Sequence, residues 1–248
     1  MKSSRLLKYF EEYIKKIDMN NTWAKAKYFH SLKSMDLARI LASSLNIFTD
    51  EEIVIIELMA LFHDIGNFEQ KNYNYLDNPE EDSTMGSIRI LFDEGLLRKI
   101  TNETKYDTLI KLGIFCHNKD ALPKNIDEKT TYVCNIMKDV HKLEELRMLI
   151  HYPYIDNRIN DFPSTLVYND FKLFRKVNTK MSDNNADNIL IVLSNIFNLN
   201  YKNSYVQILE KEFVTKIVDS LIYEDKKIEK FFKQIEAVLT SYLKKKIS

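Results

Sequence analysis

Glycine and proline are scarce in this chain, with four of each in 248 residues. So few breakers exclude a turn-dense, sheet-rich fold and favour long helices joined by short connections. Cysteine is rarer still. Cys116 and Cys134 offer neither a metal-knuckle spacing nor a disulfide framework, and their apolar surroundings (IFC and YVCNIM) read as buried core. Net charge is absent too: Lys+Arg and Asp+Glu both total 36. No global basic field recruits DNA, RNA or an anionic membrane, which points away from nucleic-acid and membrane partners. No apolar run has the length of a membrane span, and the amino-terminal stretch MKSSRLLKYFEEYIKK meets charges too early for a secretory signal. These absences lead to the expectation of a soluble, cytoplasmic protein.

What remains is 45% hydrophobic residues, enough for a substantial core. Leu6 to Ile17 carries apolar residues at helical spacing, and Thr22 is placed to cap a long helix through His30 to about Leu45. Thr49-Asp50-Glu51-Glu52 has the form of a capping box. It opens the run IVIIELMALF, Ile53 to Phe62, whose only charge is Glu57. That composition predicts a helix buried on nearly every side. The run ends in His63-Asp64, ahead of Gly66. An imidazole and a carboxylate at the end of such a helix are costly unless compensated, and a bound cation does so directly.

Residues 67–81 are polar and aromatic without clear periodicity, a loop of functional length. A helix resumes near Asp82 or Ser83 and stops before Gly95. Another runs from Tyr106 to His117, and a long one from Asp127 to about His151. Pro153 and Pro163 bracket an irregular stretch, and four more helices are expected after it. The last starts near Asp225, and its terminal SYLKKKIS places lysines at the negative end of the helix dipole. No repeat or linker divides the chain, which reads as a single domain over 1–248. Residues 1–151 would form a core, with accessory helices at 164–248 packed on it.

Four of the five histidines are His30, His63, His117 and His141. Their contexts are YFHSLKSMDLARILA, ALFHDIGNFEQ, IFCHNKDALP and DVHKLE. The pattern resembles the HD-domain superfamily of metal-dependent phosphohydrolases, in particular a subgroup with HDIGRFEQ and His-Asn-Lys strings. The resemblance implies an all-α HD-type helical bundle with accessory C-terminal helices. It implies a first metal site formed by His30, His63, Asp64 and His141, with Asp82 and His117 completing a second site or handling protons. Two positions depart from the subgroup. Asp82 stands where a His is expected, and His141 stands where the final Asp is expected. Both replacements can ligate a divalent metal, so they read as a reciprocal ligand swap. Asn67 replaces the Arg of HDIGR, removing a charge from the site.

The implied cofactor is one or two divalent ions (Mn, Fe, Co, Ni, Zn or Mg). The implied reaction is hydrolysis of a phosphate ester or anhydride of a small metabolite, a nucleotide by preference, with Asp64, His117 and Lys142 as the catalytic group. Lys33, Lys119 and Lys142 are candidate phosphate-binding cations. Phe68, Tyr73 and Tyr75 are candidates to stack on a base or to pack the loop. Two other readings are open: a catalytically silent scaffold acting as a nucleotide-binding or regulatory module, and a metal that only staples the bundle. Oligomeric state, a homodimer included, is left open.

Overall fold

The computed structural model describes residues 2–69, 83–152 and 156–248. They form twelve α-helices and one pair of two-residue strands, the all-α architecture expected. The chain divides into two compact units, Met1–His141 and Lys142–Ser248.

The first unit contains α1 (Ser3–Ile14), α2 (Thr22–Leu45), α3 (Asp50–Phe62), a 3-10 turn (Ile65–Glu69), α4 (Ser83–Ile88), α5 (Leu96–Ile100) and α6 (Asp107–Cys116). It ends within α7 (Glu128–His151). Helix α3 is the centre, packed by α1, α2 and α6, with every residue from Ile55 to Phe62 buried. Its capping box forms as expected: Thr49 accepts from the Glu52 N–H and Glu52 reaches back to the Thr49 N–H. Glu57 is compensated by a 2.5 Å hydrogen bond from Ser3 and by Arg39 at 3.7 Å. The close approach of α6 to α3 depends on Gly113, where an added Cβ would overlap the Met59 sulfur.

Three local expectations change. The cap of α2 is Asn21, which accepts from the N–H groups of Trp23 and Ala24; Thr22 is the first helical residue. The helix after the loop is not uniform, since α4 passes into a π-helical turn over Arg89–Asp93 before Gly95 at φ 76°. Helix α5 follows that glycine and was not read from the pattern.

The second unit continues α7 and adds β1 (Arg158–Ile159), α8 (Thr165–Lys172), α9 (Asn185–Ser194), α10 (Lys202–Glu210), α11 (Phe213–Ser220), β2 (Ile222–Tyr223) and α12 (Lys226–Ile247). There are five helices after Pro163, not four. The segment from Lys202 to Ser220 holds no Gly or Pro to mark a break. The break is made by Glu212, in the left-handed region at φ 55°. Strands β1 and β2 pair in parallel, Arg158 with Ile222 and Ile159 with Tyr223. Asp225 caps α12 as expected, accepting from the Lys227 N–H.

Candidate metal centre

Two long helices and two short ones bring their histidines together in the first unit. His30 and His141 lie inside α2 and α7, whereas His63 and His117 are the C-cap residues of α3 and α6. The two C-cap histidines use the same local device. His63 Nδ1 lies 2.8 Å from the Ala60 carbonyl oxygen, and His117 Nδ1 lies 2.6 Å from that of Ile114. A carbonyl only accepts, so each Nδ1 carries the proton and each Nε2 is left with a bare lone pair. A hydrogen bond of this kind fixes the tautomer and ring orientation of a metal-ligating histidine. The C-terminal ends of two helix dipoles also meet here, a field that favours positive charge.

The Nε2 atoms of three imidazoles converge on Asp64. His63 Nε2 and His117 Nε2 lie 3.8 and 3.7 Å from Asp64 Oδ1, and His30 Nε2 lies 3.5 Å from Oδ2. His30 Nε2 and His63 Nε2 are 3.1 Å apart. His63 cannot donate at that atom, so the shared proton sits on His30. Ligands bound at about 2.1 Å to one ion lie roughly 3.0–3.4 Å apart, and the two imidazole nitrogens already have that separation. Among the described residues, the ligating atoms of His30, His63 and Asp64 lie within 4.8 Å of one another. Lone pairs facing a carboxylate with no proton between them are what a cation would resolve, so the donor set fits a divalent metal.

His141 completes the ring of imidazoles at greater distance, its centroid 5.0 Å from that of His117 and 6.2 Å from that of His63. It lies outside the three-residue ligand group but beside His117, where a second ligand set would draw on it. Asp82, Tyr73 and Tyr75 lie outside the described residues. Phe68 is buried, edge-on to Phe10 at 6.3 Å, so it packs the turn.

One residue of the site was missed. Lys27, a turn before His30 on α2, donates to Asp64 Oδ2 at 2.7 Å, with its ammonium 5.0 Å from the Trp23 ring centroid. The available signal was the i, i−3 spacing from His30; the cation expected from the sequence was Lys33, three residues to the other side. Lys33 is exposed and lies 3.5 Å from Asp36. Lys119 sits over the Phe115 ring at 5.3 Å. Lys142 belongs to the second unit, where it is buried and donates to the Asn198 carbonyl.

The electrostatics follow from burial. Desolvation drives the His63 pKa down to about 3, with His117 and His30 adding to the effect against Asp64. Burial also lowers the pKa of His117 and carries that of His141 well below the imidazole range. For Asp64, burial would raise the pKa. The Lys27 ammonium, ahead of the imidazoles, overcomes it and holds the carboxyl well below the usual carboxylate range. At neutral pH the site therefore presents Asp64 as a carboxylate and His63, His117 and His141 as uncharged imidazoles.

Residues 28–150, which contain every one of these histidines, match the family model of the HD domain. Residues 28–150 thus form an HD domain, of a superfamily whose members bind divalent metals and include metal-dependent phosphohydrolases. No curated protein and no solved structure matches the chain.

Proposed function

We propose that the chain is a metal-dependent phosphohydrolase acting on a small phosphorylated metabolite, with nucleotides the preferred class. The observation that carries this reading is the convergence of His30, His63 and Asp64 as a buried donor set. In it His30, His63 and Asp64 hold the first ion, while His117, His141 and Asp82 serve a second ion or proton handling. A divalent cation in such a site supplies Lewis acidity at a phosphoryl oxygen and a hydroxide nucleophile at neutral pH.

The chain's own groups do the remainder. The Ala60 and Ile114 carbonyls hold the His63 and His117 rings so that Nε2 faces the reacting centre. Lys27 keeps Asp64 ionised and places a positive charge beside it, where a phosphoryl oxygen would bind. Lys27 thereby takes the phosphate-binding role expected of Lys142. The neutral His117 is suited to accept or return a proton once a substrate is in place.

The test is phosphate release from a panel of nucleoside mono-, di- and triphosphates and sugar phosphates. Protein loaded in turn with Mn, Co, Ni, Zn or Mg would be compared with its Asp64→Ala variant. Turnover of at least one nucleotide that disappears in the variant is expected. Release that is equal in parent and variant, or none with any metal, overturns the proposal.

A further inference from the structure

The second unit carries a surface that its fold does not account for. Helix α8 ends at Leu173, and the chain turns through Phe174 in the left-handed region at φ 54°. That conformation normally falls to glycine at a helix C-terminus, and for a bulky side chain it is strained. The strained turn displays two adjacent apolar side chains, Leu173 at 56% and Phe174 at 46% exposure. Exposed cations flank them: Lys172 before, Arg175 and Lys176 after. Residues 172–180 contain no acid, and the nearest in sequence is Asp170.

The charge extends onto the neighbouring helix. The Phe174 ring stacks on Tyr242 of α12 at 5.4 Å and 7°. One turn further on, the exposed Lys246 lies over the Tyr242 ring at 5.3 Å. Four exposed cations, Lys172, Arg175, Lys176 and Lys246, thus flank the apolar wedge in a chain whose total charge is zero.

We infer that this face of the second unit docks on an anionic lipid surface. Leu173 and Phe174 would enter the headgroup boundary, and the flanking lysines and Arg175 would meet the lipid charges. This departs from the expectation drawn from net charge, because membrane attraction is set within a Debye length of the contact and not by the molecule's sum. A nucleic-acid partner fits less well. One face of Phe174 is already taken by Tyr242 and its surroundings include the edge of Phe197 at 5.3 Å, and Leu173 offers no ring to stack on a base.

The experiment is co-sedimentation of the full chain with phosphatidylcholine vesicles, pure or with about a third phosphatidylserine. A single-stranded oligonucleotide serves as a second probe. Binding to the anionic vesicles alone is expected. Leu173→Ser should weaken it by about tenfold. Arg175→Ser with Lys176→Ser should weaken it by roughly twentyfold. All three positions are exposed, so thermal melts should not move. Lack of binding to either vesicle overturns the inference. So does binding that Leu173→Ser leaves intact, or a preference for the oligonucleotide over the anionic vesicles.

Discussion

Two buried carboxylates, one in each unit, are satisfied in opposite ways. Asp187 in the second unit is fully buried and accepts the Ser164 N–H at 2.7 Å and the Asp183 N–H at 3.0 Å. Both donors are fixed backbone groups, and Ser164 is itself the cap of α8. Asp187 is therefore a closed structural joint. Asp64 in the first unit is 3% exposed. Its neighbours among the described residues are the Lys27 ammonium and three imidazoles at 3.5–3.8 Å. Two of those imidazoles face it with lone pairs that cannot donate. A carboxylate that only stabilises is given protons by the backbone. One that waits for a cation is given ligands instead, with their protons tied to carbonyls behind them.

The sharpest break in this comparison is removal of the carboxylate at each place. Asp64→Ala should abolish metal uptake and lower kcat/KM on the substrate found by at least about a thousandfold. Metal analysis and steady-state kinetics would check it. Asp187→Ala should leave both unchanged but cost about 1–3 kcal/mol of stability, because the Ser164 and Asp183 N–H groups lose their acceptor. Denaturant unfolding would read that loss. If Asp187→Ala impaired metal binding, or Asp64→Ala did not, the distinction drawn between the two would fail.

A pH titration of metal-free protein separates the regions more gently. His63, His117 and His141 have folded pKa values below the ordinary 6.5, so below that pH the unfolded chain takes up protons that the folded one refuses. Stability should fall as pH drops from about 6.5 towards 3, each imidazole contributing up to about 1.4 kcal/mol per pH unit. Asp64, depressed in the fold, adds its own loss only further down, below the ordinary carboxylate pKa. Thermal melts of the parent against His63→Ala would show a shallower slope in the variant. Equal slopes would mean that His63 is not held neutral.

The smallest expected effect concerns Lys27. Its ammonium competes with a metal for Asp64 Oδ2, so Lys27→Met should tighten metal binding by roughly tenfold. The same change should raise KM for a phosphorylated substrate, because a phosphate-facing charge is lost. A purely structural lysine would move neither quantity in these opposed directions. Calorimetric metal titration and initial-rate kinetics measure the two.

The sequence made the histidines legible because helical spacing and helix ends are local signals. The apolar run into His63-Asp64 marked a buried helix end, and Thr49 and Glu52 marked its start. What escaped depends on direction and packing. Lys27 and Lys33 are both three residues from His30, and only the orientation of α2 against α3 sends Lys27 to Asp64 while Lys33 meets Asp36 in solvent. Asn21 and Thr22 are both good caps, and the backbone decided for Asn21. The break between α10 and α11 falls on Glu212, a residue with no turn signature. Lys142 follows His141 in sequence, yet its ammonium is spent on the Asn198 carbonyl, a partner 56 residues away that no local pattern reveals.

The central claim is that Asp64 and the imidazoles around it form a cation site. It is tested most directly by titrating metal-free protein with Mn, Fe, Co, Ni and Zn in a calorimeter, comparing the parent with Asp64→Asn and Asp187→Asn. The account predicts at least one saturable equivalent in the parent and in Asp187→Asn, and none in Asp64→Asn. Uptake by Asp64→Asn equal to that of the parent, or no uptake of any of these metals by the parent, would contradict it.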